Sequence, residues 1–314
     1  MEIGRRDFMR VSAAAMVAAS LPETPKAVGI RNEMPYRVLG RTGEKVSLLG
    51  VGGYHIGIVP KAESVRIIRT AIDEGVNFLD NSWSYTNGKS EEYMGAALKD
   101  GYRDKVFLMT KHDGRDRKTA QEHLETSLRR LDLDMIDLWQ FHEIVQPDDP
   151  EKIYTQGAIE FALEAQKQGK IRYIGFTGHR KPAFLNEMID RGFAWDTVQM
   201  PENPFDPHYE SFQKEVLPKA LERNMGVIAM KTQAGGGLPK TGAVTVAECL
   251  RYAMTLPVSV VVSGMDSLAK LKENLATAKS FQPMNGEEVT ALLERTQTLA
   301  AKGEHEGYKV TWHA

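Results

Sequence analysis

The sequence predicts a (β/α)8 barrel, and three observations carry that prediction. From Met34 onward, short β-branched runs alternate with amphipathic helical stretches. Eight such strand–helix units follow one another without a dividing linker, and no repeat beyond the βα period is present. A doubly wound sheet would need a G-x-G-x-x-G turn opening a helix, which Gly50-Val51-Gly52-Gly53 fits poorly.

Taken in order, Tyr36–Leu39 and Lys45–Leu49, joined by a turn at Arg41-Thr42-Gly43, read as a β-hairpin leading into Gly50. The strands are expected at Val46–Gly50, Asn77–Asp80, Val106–Lys111, Asp137–His142, Ile171–Thr177, Thr197–Met200, Val227–Lys231 and Ser259–Ser263. Helices are expected near 61–74, 90–99, 118–131, 151–168, 181–191, 208–224, 244–256 and 267–280, with a final one over 286–301. Gly75, Gly101, Gly169, Gly192 and Gly226 each fall between a helix and the next strand, where a left-handed residue ends the helix.

The 314 residues suit one large barrel, and 42% hydrophobic residues supply a full core. With 40 Lys+Arg against 42 Asp+Glu, the chain has no global attraction to nucleic acid. One cysteine, Cys249, excludes disulfide frameworks, thiolate zinc sites and cysteine-ligated iron–sulfur clusters, and reads as a small core residue. No apolar run reaches the length that spans a bilayer.

Residues 1–30 stand apart as an export signal and linker, leaving residues 31–314 for the barrel. Gly4-Arg5-Arg6-Asp7-Phe8 followed by the apolar stretch Val11 to Leu21, then Pro22 and Pro25, has the order of a signal peptide. The paired Arg5-Arg6 resembles a twin-arginine signal, the type that exports folded proteins. That implies the twin-arginine export machinery as a partner and a periplasmic location, with a cytoplasmic one as the alternative. No cysteine lies near the junction, which excludes a lipid anchor.

A barrel of this kind builds its site where the strands end at their C-terminal face. Reading those ends gives His55, Asp80, Lys111 with His112, His142 with Glu143, Thr177 with His179, Gln199 and Lys231. Tyr85 follows five residues after Asp80. A tyrosine hydroxyl titrates at about pH 10 in water and is a poor acid at neutral pH. An ammonium beside it favours the phenolate, a carboxylate keeps that ammonium charged, and a histidine orients a carbonyl. Asp80, Tyr85, Lys111 and His142 are therefore suited to protonating a carbonyl oxygen as hydride reaches carbon.

The same residues resemble the aldo-keto reductase family over nearly all of residues 34–280. Gly75-Val76-Asn77-Phe78-Leu79-Asp80, with Tyr85 and Ser90-Glu91-Glu92-Tyr93-Met94-Gly95, is similar to the family's first signature. Leu131 to Leu138 leading to His142 is similar to the second, and Gly169 to Gly175 to the segment at the fifth strand. The resemblance implies reduction of an aldehyde or ketone by NADPH, or by NADH, with Tyr85 as general acid, tuned by Lys111 and Asp80. It places Thr177, His179 and Gln199 at the nicotinamide, although Gly178-His179 replaces the family's usual asparagine. It places Gly235, Gly236 and Gly237 at the pyrophosphate, where bare backbone N–H groups approach anionic oxygens. Ser263, Gly264, Asp266, Lys270, Glu273 and Asn274 fall at the adenosine, with Glu273 and Asn274 on the adenine. Lys270 suits a 2′-phosphate and Asp266 a free ribose hydroxyl.

Trp83, Trp139, Tyr54 and His55 are candidates for the substrate pocket, with packing an equal reading for Trp139. Trp195 reads as core and the 14 methionines as core filler. Lys231 reaches the cofactor or substrate, or forms an ordinary salt bridge. Two rivals use the same fold: a cofactor-holding partner-binding barrel resembling potassium-channel β subunits, and a metal-dependent hydrolase built on His55, His112, His142 and His179. The second lacks a His-x-His pair and would hold the Lys111 cation inside its cluster, so no metal site is expected.

Overall fold

A computed structural model describes residues 23–310. The expected export signal falls on residues 1–30, of which 1–22 lie outside the described residues. Eight parallel strands close into a barrel: β4 (Leu49–Gly52), β5 (Phe78–Asp80), β6 (Phe107–His112), β7 (Ile136–Phe141), β8 (Ile171–Thr177), β9 (Thr197–Pro201), β10 (Gly226–Met230) and β11 (Val260–Gly264). Closure runs through β11, whose Val261 to Gly264 pair with Leu49 to Gly52. A three-stranded antiparallel sheet precedes the barrel: β1 (Gly29–Arg31), β2 (Met34–Val38) and β3 (Lys45–Ser47). The hairpin arm and the first barrel strand, expected as one run, are separate because the chain turns at Leu48. β1 also opens ahead of residue 31, pairing Gly29 with Tyr36.

Strand alternation divides the core in two. Side chains pointing inward (Phe78, Phe107, Met109, Leu138, Ile228, Val260) form an inner cluster closed below by Leu39 and Val46 of the hairpin. Those pointing outward, among them Trp139, Phe141, Ile174 and Val198, join the larger cluster beneath the helices. Cys249 is fully buried, as read from the sequence. Small residues let the hairpin seat tightly: Gly40 has φ 50° and a Cβ there would overlap the Gly226 backbone. Moving two residues toward the C-terminal end on each inward face replaces the apolar floor with Asp80, Lys111, Gln140 and Gln199, all buried. That polar layer is the floor of the site.

Helices begin where side-chain acceptors meet their first free N–H groups. Asp116 accepts from Thr119 N at 2.9 Å, and Thr245 with Glu248 and Asn285 with Glu288 form capping boxes. Two expected helices are broken. The 151–168 stretch divides into Asp149–Thr155 and Ala158–Lys167, because Gly157 takes φ 82° and bridges to Asp116. The 208–224 stretch divides into Phe212–Glu215 and Leu217–Glu222. There the Asp206 carboxylate draws in the N–H groups of Phe212 and Gln213 at 3.1 and 2.9 Å, and Pro218 restarts the helix. Gly75, Gly101, Gly169 and Gly192 have positive φ as expected; Gly226 does not, and Asn224 takes the left-handed position instead. Among the described residues no helix is long and apolar enough to cross a membrane.

Candidate active site

Asp80 ends β5 and Lys111 lies on the neighbouring strand β6, both facing the barrel interior at its C-terminal mouth. Lys111 Nζ pairs with Asp80 Oδ1 and donates to Asn81 O at 2.7 Å and to Tyr85 OH at 3.2 Å. The ammonium is fully buried, and these three acceptors satisfy its donors. Tyr85 is brought back over the pair by a coiled loop. Thr86 and Asn87 take φ 50° and 55°, followed by Gly88 at 88°. A left-handed β-branched residue is costly, and such strain persists where the surroundings over-determine it. Here Thr86 Oγ1 accepts from Ser90 N at 3.2 Å and packs against Gly57, while the Arg130 guanidinium fills the space over Gly88.

His142 completes the group. Its ring stands edge-on to Tyr85, centroids 5.9 Å apart. Nδ1 lies 3.1 Å from Asp113 Oδ1 and 3.3 Å from Ser82 Oγ. Burial works to raise the Asp113 carboxyl, but the hydrogen bond with His142 and the charges of His142, Arg115 and His123 outweigh it and hold the group below its usual range. An ionised Asp113 only accepts, so Nδ1 of His142 carries a proton and donates it to the carboxylate.

The expected lowering of the Tyr85 pKa does not occur. Burial pushes it well above the ordinary tyrosine value, and Asp80, Glu143, Asp113 and Tyr54 add to the rise. With burial as the leading cause of that rise, Tyr85 is a neutral phenol at physiological pH. The proton it would donate is therefore in place. Burial also depresses Lys111, against which Asp80 works most strongly.

Two side chains with open polar atoms lie at the same mouth. Gln199 Oε1 is buried without a hydrogen-bond partner, and Thr177 Oγ1 has only a weak contact to Met230 Sδ at 4.0 Å. An acceptor and a hydroxyl left open side by side on β8 and β9 fit a carboxamide, the group expected there. His179 Nε2 is instead held by Glu143, its Nδ1 is buried and unpartnered, and burial depresses its pKa well below the ordinary value. The glycine loop is wound tighter than expected. Gly236 N donates to Gln233 O and Gly237 N to Ala234 O, so these two N–H groups are not bare. Beyond β11, Lys270 Nζ pairs with Asp266 at 2.6 Å, Ser263 Oγ accepts from Asn274 Nδ2 at 3.0 Å, and Gly264 lies under the His55 ring. Asn274 is thus buried with its amide N–H engaged, while Glu273 is exposed.

The candidate pocket aromatics divide. Tyr54 is 52% exposed and stands edge-on to Tyr85 at 5.5 Å. Trp83 stacks on His123 at the rim, centroids 3.6 Å apart. Trp139 points outward and stacks on His112 at 3.6 Å, so both belong to the outer core, as does Trp195. His112 therefore turns away from His142, and among the described residues no three His, Cys, Asp or Glu side chains are grouped to hold a metal. Sequence reasoning missed Asp113, Ser82 and Asn81: the first two read as loop residues, and Asn81 acts through its backbone carbonyl.

The profile of the Aldo/keto reductase family matches residues 48–245, which takes in every strand-end position of the tetrad. The chain belongs to the aldo/keto reductase family. This aldo/keto reductase is 33% identical to the aldo-keto reductase YhdN of Bacillus subtilis over 233 residues, which cover 68% of this chain and 65% of that protein. Its fold matches the holo form of the aldo-keto reductase AKR11C1 from Bacillus halodurans with a TM-score of 0.72 at 24% identity, covering 87% of this chain and 99% of that one. An aldo/keto reductase from Klebsiella pneumoniae, in complex with NADP and acetate, matches with a TM-score of 0.69 at 21% identity, covering 85% of this chain and 96% of that one. The reductase thus shares its closed eight-stranded barrel with both.

Proposed function

We propose that this aldo/keto reductase is an NAD(P)H-dependent oxidoreductase that reduces an aldehyde or ketone to an alcohol, with Tyr85 as the proton donor. The observation that carries the reading is Tyr85 OH 3.2 Å from a buried Lys111 ammonium that is itself fixed by Asp80 and Asn81 O. The cofactor, when bound, supplies hydride to the carbonyl carbon. Thr177 and Gln199 would hold its carboxamide, and the solved relative from Klebsiella pneumoniae contains NADP.

The chain's own part is proton transfer. Tyr85, neutral at working pH, gives its proton to the carbonyl oxygen, and the phenolate left behind lies beside the Lys111 charge. Asp80 keeps that charge in place. His142 borders the same space, its ring edge-on to Tyr85 and its Nδ1–H held by Asp113. A barrel that merely holds cofactor for a partner has no need of a proton donor set on strained backbone over a buried ammonium.

Tyr85→Phe tests the assignment. With NADPH and a panel of carbonyl compounds, kcat should fall at least about 100-fold while cofactor affinity, read by protein fluorescence quenching, stays within twofold. A Tyr85→Phe enzyme that retains most of its turnover overturns it. NADPH rather than NADH is taken as the working cofactor, since the solved relative from Klebsiella pneumoniae contains NADP; Lys270, the cation that suits a 2′-phosphate, is paired with Asp266.

Arg5-Arg6 and the apolar stretch after them support export by the twin-arginine route, with residues 31–314 as the exported reductase. Because nicotinamide cofactor is scarce outside the cytoplasm, folding around it before export would let it leave already bound. Cell fractionation should find the protein in the periplasm and Arg5→Lys with Arg6→Lys should abolish that. A wild-type protein confined to the cytoplasm refutes export.

A further inference from the structure

Lys231 follows the last residue of β10 on left-handed backbone, φ 51°, a conformation a lysine adopts only at a cost. Its carbonyl is held from two sides, by Ala234 N at 2.9 Å and by Asn203 Nδ2 at 3.4 Å. The side chain is half-buried, with Nζ 5.1 Å from the centre of the Tyr308 ring. Among the described residues no carboxylate is within ion-pair distance of it, so the salt bridge that the sequence left open does not form. Glu143, the acid whose charge acts on it most, is already engaged by His179. A half-buried ammonium with no anion among the described residues is costly, yet strained backbone holds it there.

Its neighbours locate it. His179, which packs edge-on to Tyr308 at 5.5 Å, is bonded to Glu143, the residue after His142. The other cation whose charge acts on Lys231 is Lys111. Lys231 therefore belongs to the proton-transfer end of the mouth. The charges beyond β11 form a separate group, in which His55 senses Asp266 and Lys270. Tyr308 offers a flat apolar floor, its hydroxyl turned to Glu306 and Asn203.

We propose that the Lys231 ammonium receives a carboxylate carried by the substrate, so that this reductase acts on carbonyl compounds bearing an acid group. The proposal rests on the reductase reading of the same site. One end of the substrate is a carbonyl at Tyr85 and His142; the other is an anion at Lys231, its carbon chain lying along Tyr308. A charge-assisted hydrogen bond of this kind separates acid from neutral substrate by about tenfold or more.

The test pairs succinic semialdehyde with butanal, equal in chain length and differing in the carboxylate. Wild-type kcat/KM with NADPH should favour succinic semialdehyde by at least about tenfold, and Lys231→Met should bring that ratio close to one. Lys231→Arg should keep part of it. Calorimetric titration of succinate into the enzyme saturated with NADP+ should give binding that weakens about tenfold in Lys231→Met. A wild-type enzyme without the preference overturns the proposal. So does Lys231→Met with the ratio intact and NADPH affinity lost, which assigns the lysine to a cofactor phosphate. If neither aldehyde is reduced although cofactor binds, the reductase reading fails, and the succinate titration alone decides whether Lys231 is a carboxylate site.

Discussion

Asp113 Oδ1 lies 3.1 Å from His142 Nδ1, and this pair sets what the histidine can do at its other nitrogen. With Nδ1–H donated to a carboxylate, a singly protonated ring has its acceptor at Nε2 and can receive a hydrogen bond from a hydroxyl such as that of Tyr85. Asp113→Asn removes the charge that enforces this tautomer. We expect kcat to fall about tenfold or more, with KM for NADPH unchanged and the acidic side of the pH–rate profile displaced. Ser82 lies 3.3 Å from the same nitrogen and is too weak an anchor to replace the carboxylate. An Asp113→Asn enzyme with wild-type kcat and pH profile would leave His142 independent of Asp113.

Removing Asp80 should act on two groups in one direction. Its charge raises both Lys111, which burial depresses, and Tyr85, which burial raises. In Asp80→Asn both therefore titrate at lower pH, so the alkaline loss of activity should move to lower pH. Breaking one partner of a buried ion pair also costs about 3–5 kcal/mol of stability. A pH–rate profile and a thermal melt on the same preparation read the two effects. An alkaline limb that stays in place, or moves up, contradicts the electrostatic role given to Asp80.

The barrel and the tetrad were legible because both depend on local pattern. β-branched runs at a regular spacing fix the strands, and alternation then puts Asp80, Lys111 and His142 on the inward face at one end. What escaped depends on contacts across the fold. Nothing local shows that Asp206 will capture the N–H groups that Phe212 and Gln213 would give to a continuous helix. Nothing local gives Asp113 a histidine 29 residues away. The sign of the Tyr85 shift escaped for the same reason: a lysine neighbour is readable from strand spacing, whereas the burial that outweighs it belongs to the assembled mouth. The two helix-end residues Asp266 and Lys270, which read as opposing signals, turn out to neutralise each other.

That last pair predicts how cofactor choice will respond. Lys270 Nζ is 2.6 Å from Asp266 Oδ2 on the first turn of Leu268–Lys279, and Asp266 is held below the usual carboxylate range chiefly by that hydrogen bond. The pair is partly exposed, so breaking it should cost little stability. Asp266→Ala removes a repulsive charge and releases Lys270 for a 2′-phosphate. The preference for NADPH over NADH, measured as the ratio of dissociation constants, should rise severalfold, and Lys270→Met should lower it. Two variants that both leave the ratio unchanged would place the 2′ position elsewhere.

Stability should fall on mild acidification through His208. Burial, with the charges of Lys214 and Lys309, lowers its pKa from 6.5 to about 4, against the pull of Asp206. Its Nε2 lies 3.1 Å from Thr296 Oγ1. That hydroxyl has carbonyl acceptors at Pro204 and Leu293 for its own proton, so it accepts from the ring. The folded protein thus holds neutral His208, while the unfolded chain binds a proton more readily. The stabilisation is fully present above pH 6.5 and is lost as pH falls from 6.5 toward about 4. At one pKa unit per 1.36 kcal/mol this amounts to at most about 3 kcal/mol. His112 and His179, also depressed, act in the same direction. Urea midpoints of the wild type should therefore drop steadily across this window, and His208→Gln should flatten the slope in part without reversing it. Equal slopes in the two proteins would show that His208 protonates freely in the fold.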